Sequence, residues 1–141
     1  MDVNKLLQAL DDDTNENLLN FTSDKMKEMN LKIIKELHLS RDETLNILKK
    51  LNNYKYVDEM NDLKYGAYIR WIFIDNPGKI SLTKGGIFCE MKITDKGVFC
   101  VCKNHGFNTR HFQISMDKTL IFQKLTTQEQ VLLSALDHLS S

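Results

Sequence analysis

Hydrophobic positions change their spacing part-way along the chain, and the change divides it into a helical and a β-rich portion. Up to Asn52 there is neither proline nor glycine, and apolar residues recur at three- and four-residue intervals. Val3, Leu6, Leu7 and Leu10 form a short stripe that Asp11-Asp12-Asp13 ends. After Leu18, Leu19 and Phe21, Thr22-Ser23-Asp24 offers an N-cap. Met26, Met29, Ile33, Ile34 and Leu37 then predict a helix of three to four turns. Ser40-Arg41-Asp42-Glu43 has the form of a capping box, so a further helix is expected from Arg41 with Leu45, Leu48 and Leu51 facing inward.

From Gly66 the period shortens to two, and β-branched and aromatic residues alternate with polar ones between Gly, Asn and Asp signals. Strands are expected at Tyr68–Ile74, Ile80–Leu82, Ile87–Ile93, Val98–Lys103, Arg110–Met116 and Thr119–Gln123. Asn76-Pro77-Gly78 and Asp95-Lys96-Gly97 supply tight turns, and Gly85-Gly86 permits a kink or bulge. Thr126-Thr127-Gln128-Glu129 is a second capping box, followed by Leu132, Ala135, Leu136 and Leu139 on one helical face. The expected fold is therefore α+β. Residues 1–63 form a helical N-terminal region, and residues 64–141 a small antiparallel barrel of five or six strands, of SH3 or OB size, with a C-terminal helix that caps it.

The 141 residues suffice for one ordinary core. Cys89, Cys100 and Cys102 are odd in number, and the last two are too close in sequence to bridge comfortably. Reduced thiols in an intracellular, cytoplasmic setting are expected. The acidic start of the chain reads against a secretory signal, and no apolar run reaches membrane-spanning length. Formal net charge is zero but unevenly distributed. Residues 1–63 carry nine Lys/Arg against thirteen Asp/Glu, residues 64–124 ten against four, and residues 125–141 none against two. The β-rich segment is thus net +6, which changes the picture from a neutral protein to one with a basic module.

Candidate chemistry narrows quickly. Cys100-x-Cys102-x-x-His105, with Cys89 and His111, contains zinc-ligand types, but structural zinc usually takes a Cys-x-x-Cys knuckle, so these cysteines are expected as small apolar residues lining the barrel. No metal, cofactor or catalytic residue is expected. Phosphate-loop, His-Glu-x-x-His and Gly-x-Ser-x-Gly motifs do not occur, and no Cys/His spacing announces an activated nucleophile. Ile33 to Leu51 has a helix-turn-helix outline. However, His38 occupies the position usually held by the turn glycine, and Asp42 and Glu43 at the second helix's start would repel phosphates.

The hairpin around Asp95-Lys96-Gly97 carries the most informative surface. Alternation puts Ile87, Cys89, Met91 and Ile93 with Val98, Cys100 and Cys102 on one face, and Phe88, Glu90, Lys92, Phe99, Val101 and Lys103 on the other. Rings that stack on bases beside ammonium groups that follow phosphates suit single-stranded nucleic acid; the same pattern arises where a helix covers the second face of a sheet and lysines snorkel at its rim. Arg70 and Trp71 fall on opposite strand faces, so at most one joins this surface.

The run Asp62-Leu63-Lys64-Tyr65-Gly66-Ala67-Tyr68-Ile69-Arg70-Trp71-Ile72, with Leu82-Thr83-Lys84-Gly85-Gly86 and Ile121-Phe122-Gln123-Lys124-Leu125, resembles small β-domains in uncharacterised proteins of giant, mimivirus-like DNA viruses. That resemblance implies a viral protein of the host cytoplasm or the virion that uses a barrel as a binding scaffold, and it carries over no catalytic residue. The resulting expectation is a non-enzymatic binding module for RNA or single-stranded nucleic acid, with Lys92, Phe99, Lys103 and Arg110 as contacts. The alternatives are a protein-interaction or virion structural component, and a helix-turn-helix DNA-binding regulator.

Overall fold

The computed structural model describes residues 22–104, 106 and 109–140, and it is a mixed α and β structure. The apolar stripe Val3 to Leu10, together with Leu18, Leu19 and Phe21, lies outside the described residues. Two compact units emerge. Among the described residues, one joins those up to Asn53 with those from Leu125 onward, and the other is Tyr54–Lys124.

In the helical unit, α1 (Ser23–Lys35) starts where the Thr22 hydroxyl accepts the Lys25 amide at 3.2 Å, and it buries Met26, Asn30 and Ile34. The chain leaves it through His38 at φ 54°, so the left-handed turn that usually calls for glycine is made by histidine at a conformational cost. α2 (Arg41–Lys50) is capped by the Ser40 hydroxyl, which accepts the Glu43 amide at 3.2 Å. Its inward face is Ile47 with Leu51 just beyond it; Leu45, expected inside, is 48% exposed. α3 (Thr127–Ser140) begins with a reciprocal capping box, in which the Thr126 amide donates to the Glu129 carboxylate at 2.9 Å and the Glu129 amide to the Thr126 hydroxyl at 3.1 Å. Leu132, Leu133 and Ala135 are its buried face, whereas Leu139, expected to share that face, is 80% exposed. Leu133 clusters with Met26 and Leu125, and the Asp137 carboxylate accepts both the amide and the hydroxyl of Ser23. The C-terminal helix, grouped with the strands by sequence, thus meets α1 through Leu133 and Asp137.

The second unit is a six-stranded antiparallel sheet made of β1 (Tyr54–Val57), β2 (Tyr68–Phe73), β3 (Gly86–Thr94), β4 (Gly97–Lys103), β5 (His111–Ser115) and β6 (Thr119–Lys124). The strand order is β1-β6-β2-β3-β4-β5. β1 falls inside the segment read as helical. It is a strand because Tyr54, Lys55, Tyr56 and Val57 pair with Lys124, Gln123, Phe122 and Ile121. Ile80–Leu82 does not form a full strand; Leu82 makes a single bridge to Ile72. Where a barrel was expected the sheet is open, and among the described residues β1 and β5 are its unjoined edges. β2 meets β3 only at Tyr68/Ile87 and Ile69/Gly86, so the ladder is interrupted in its middle.

The sheet curls around one inner face, where Val57 from one edge and Ile114 from the other share a cluster with Leu63, Ile69, Trp71, Phe88, Cys100, Cys102 and Ile121. The buried Gln123 side chain braces the crossover from β1 to β2 by accepting the Lys64 amide at 2.7 Å and donating to the Asp62 carbonyl at 3.0 Å. A one-residue bulge between Phe88 and Glu90 shifts the β3/β4 register. Phe88 consequently sits opposite Cys102 in the core at 1% exposure, not on the outer face where simple alternation put it.

Gly85, at φ +90°, lies where β3 enters the sheet, and a Cβ there would collide with the Ile69 carbonyl oxygen and stand 2.9 Å from the Tyr68 ring. Gly66 has a similar φ of +83° with open space around it. Gly66→Ala should therefore cost about 1 kcal/mol, the backbone term alone, and Gly85→Ala several times more, since backbone must move as well. Urea denaturation of the two variants checks the contrast.

Candidate nucleic-acid interface

The outer face of β3, β4 and β5 is built by the register that follows the bulge. Lys92 stands directly opposite Phe99, and Phe99 opposite Ser115; Glu90 opposes Val101, which opposes Gln113; Ile87 opposes Lys103, which opposes His111. Opposed residues on antiparallel strands project to the same side with Cβ atoms about 5 Å apart, so Lys92, Phe99 and Lys103 share one face. Lys92 is exposed, and Phe99 and Lys103 are half-buried. Phe99 lies outside the inner-face cluster.

The same face continues onto β2, because Tyr68 opposes Ile87 and Arg70 lies two residues further along the strand. The Tyr68 hydroxyl donates to the Lys84 carbonyl at 2.7 Å, and Arg70 donates its Nε–H to the Thr83 carbonyl at 2.9 Å, which fixes both side chains. Burial raises the Tyr54 phenol on the neighbouring part of the sheet, with the Arg70 charge opposing that rise and Tyr68 adding to it. Of Arg70 and Trp71, it is Arg70 that joins this face. Trp71 points inward and packs against Phe112 with ring centroids 5.4 Å apart.

Arg110 is exposed but precedes β5, and its amide donates to the Asn104 side chain at 2.7 Å. Alternation puts it in phase with Phe112 and Ile114, so His111, not Arg110, stands beside Lys103 on the outer face. His111, Gln113 and Tyr68 were missed as members of the surface, and Arg70 was left as one of two candidates. Their i, i+2 spacing is visible in the sequence, but which strands are neighbours is not.

Cys100 and Cys102 are fully buried on the inner face. Burial pushes their thiols up to about 11 and about 12, so both are protonated near neutrality and neither is a nucleophile there. His105 lies outside the described residues, and among those described no group of three or more His, Cys, Asp or Glu side chains converges to hold a metal ion.

The chain gives no significant match to any family model, curated protein or solved structure. Among the described residues no helix is long and apolar enough to cross a membrane.

The cysteine environments give a direct expectation. Iodoacetamide at pH 8 should modify half-buried Cys89 in the native protein and reach Cys100 and Cys102 only after unfolding. Because the folded-state values lie above the ordinary 9.0, the stability these thiols contribute is intact below pH 9 and lost as pH rises through about 11 to 12. Peptide mapping after alkylation and denaturation midpoints across that alkaline range check the two statements.

Proposed function

We propose that the protein is a non-enzymatic binding module that takes RNA or other single-stranded nucleic acid on the outer face of β3, β4 and β5. The observation that carries this reading is the direct opposition of Lys92 and Phe99, with Lys103 on the same strand face as Phe99. A ring flanked by ammonium groups offers a base a stacking surface and the adjoining phosphates their counterions. Arg70 and His111 extend the basic face along and across the strands. A single exposed chain suits such a surface better than a duplex, whose bases are already stacked. The resemblance to β-domains of giant viruses gives this reading a setting, the cytoplasm of an infected cell or the virion.

A second reading, protein interaction through the helical unit, is favoured by one feature. A groove of about 680 Å³ between α1 and α2 is lined by Met26, Leu31, Leu45, Leu48 and Leu51. The exposed Asp42 and Glu43 at the start of α2 work against duplex DNA as the helices' partner.

Fluorescence anisotropy with labelled single-stranded RNA, single-stranded DNA and duplex, each over a salt series, tests the reading. Single strands should bind, with affinity falling steeply as salt rises. Phe99→Ala should cost about 1–3 kcal/mol of binding with the salt slope unchanged. Lys92→Ala and Lys103→Ala should each lower the slope by about one unit. Melting curves confirm that each variant is folded. No binding of any strand at low salt would sink the proposal.

A further inference from the structure

The strand order leaves β5 at one edge of the sheet, and its hydrogen-bond phase can be read from its start. The Asn104 amide donates to the Arg110 carbonyl at 3.2 Å, so these two residues form a hydrogen-bonded antiparallel pair. Such pairs alternate along a ladder. Cys102/Phe112 and Cys100/Ile114 are then hydrogen-bonded pairs, and the amides and carbonyls of His111, Gln113 and Ser115 point away from β4. The Ser115 carbonyl accepts the Thr119 hydroxyl at 2.7 Å and keeps its second lone pair.

From this edge we infer that β5 pairs antiparallel with β5 of a second copy of the chain, about a two-fold axis through Gln113. This goes beyond nucleic-acid binding and does not depend on it. The pairing is self-complementary at each position. Gln113 meets itself and exchanges both backbone hydrogen bonds, and its amide side chain is at once donor and acceptor toward its twin. His111 meets Ser115 of the second copy, and the converse, each pair again exchanging two bonds. On the inner face, half-buried Phe112 lies beside Ile114 of the second copy, which covers the exposed part of Phe112 on each copy.

No like charges oppose one another, because His-Phe-Gln-Ile-Ser contains no lysine, arginine, carboxylate or proline. These are the residues with which an edge is ordinarily guarded against pairing. The other edge is less suitable. β1 has four residues and carries Lys55, and the Leu125 amide donating to the Asn53 carbonyl at 2.8 Å sets a phase that turns only Tyr54 and Tyr56 outward. A second copy fits β5 better than an unrelated strand because the two-fold register satisfies backbone, side chains and charge with one short sequence.

Sedimentation equilibrium on the full chain over a wide concentration range should give a monomer–dimer equilibrium. Gln113→Lys, which sets two ammonium groups against each other, should shift it toward monomer at least tenfold. Register is tested in a Cys89→Ser background under mild oxidation. Gln113→Cys should form a disulfide-linked dimer, since Cα atoms of a hydrogen-bonded pair lie about 5.5 Å apart, within disulfide reach. His111→Cys and Ser115→Cys should cross-link when mixed and far less when each is alone. A monomer at every concentration overturns the inference, as does a dimer that Gln113→Lys leaves intact while folded, or cross-linking at His111→Cys alone. Masses are measured without nucleic acid, so failure here is distinguishable from failure of the binding proposal.

Discussion

Strand side chains alternate between faces, so one inserted residue reverses everything beyond it. The bulge between Phe88 and Glu90 is that insertion, and the sheet unit depends on it. Before the bulge, β3 sends Phe88 inward opposite Cys102, where it fills the core beside Ile69 and Trp71. After it, Met91 faces in opposite Cys100, while Glu90 and Lys92 face out. Without the bulge, either the large Phe88 ring would leave the core or Lys92 would enter it. Burying an unpaired ammonium costs far more than local loss of one ladder hydrogen bond. The irregularity that breaks the ladder is therefore also what lets one strand serve a dry inner face and a charged outer one.

Gly85 works with the bulge. The chain enters β3 so close to β2 that the Ile69 carbonyl occupies the space a Cβ would need, and this close approach fixes where β3 begins its alternation. β2 and β3 then share only two paired positions, supplemented by amide–carbonyl bonds from Gly66 to Phe88 and from Phe88 to Ala67. β3 and β4 run on as a hairpin held mainly by each other and by β5. The candidate interface occupies that three-stranded part.

Much of this was legible in the sequence, because local chemistry decides it. The caps at Thr22, Ser40 and Thr126 form where side-chain spacing put them, and the turn at Asp95-Lys96-Gly97 bounds two strands within a residue of expectation, whereas Asn76-Pro77-Gly78 follows β2 but leads into no full strand. What was not legible depends on partners distant along the chain. Tyr54–Val57 is too short to show a period and becomes a strand only through β6, sixty-odd residues later. Closure also depends on distant edges, and β1 and β5 do not meet. Gly85-Gly86 signalled an irregularity, but the bulge lies at Cys89, where no glycine or proline marks it. Lys92, Phe99 and Lys103 could be assigned to one face because they lie on the two strands of one hairpin. Arg70 and His111 needed the order of four strands.

The charged residues of β2, β3 and β4 share one face by the same geometry. Lys92, Lys103 and Arg70 lie on the outer face with Glu90 as the one carboxylate among them, whereas Asp58 and Asp117 line a cavity of about 350 Å³ with Val57, Val98, Met116 and Ile121. Net charge for the whole chain is zero and conceals this arrangement. The register of β3 decides which face carries Glu90 and Lys92 as well as the packing of the core.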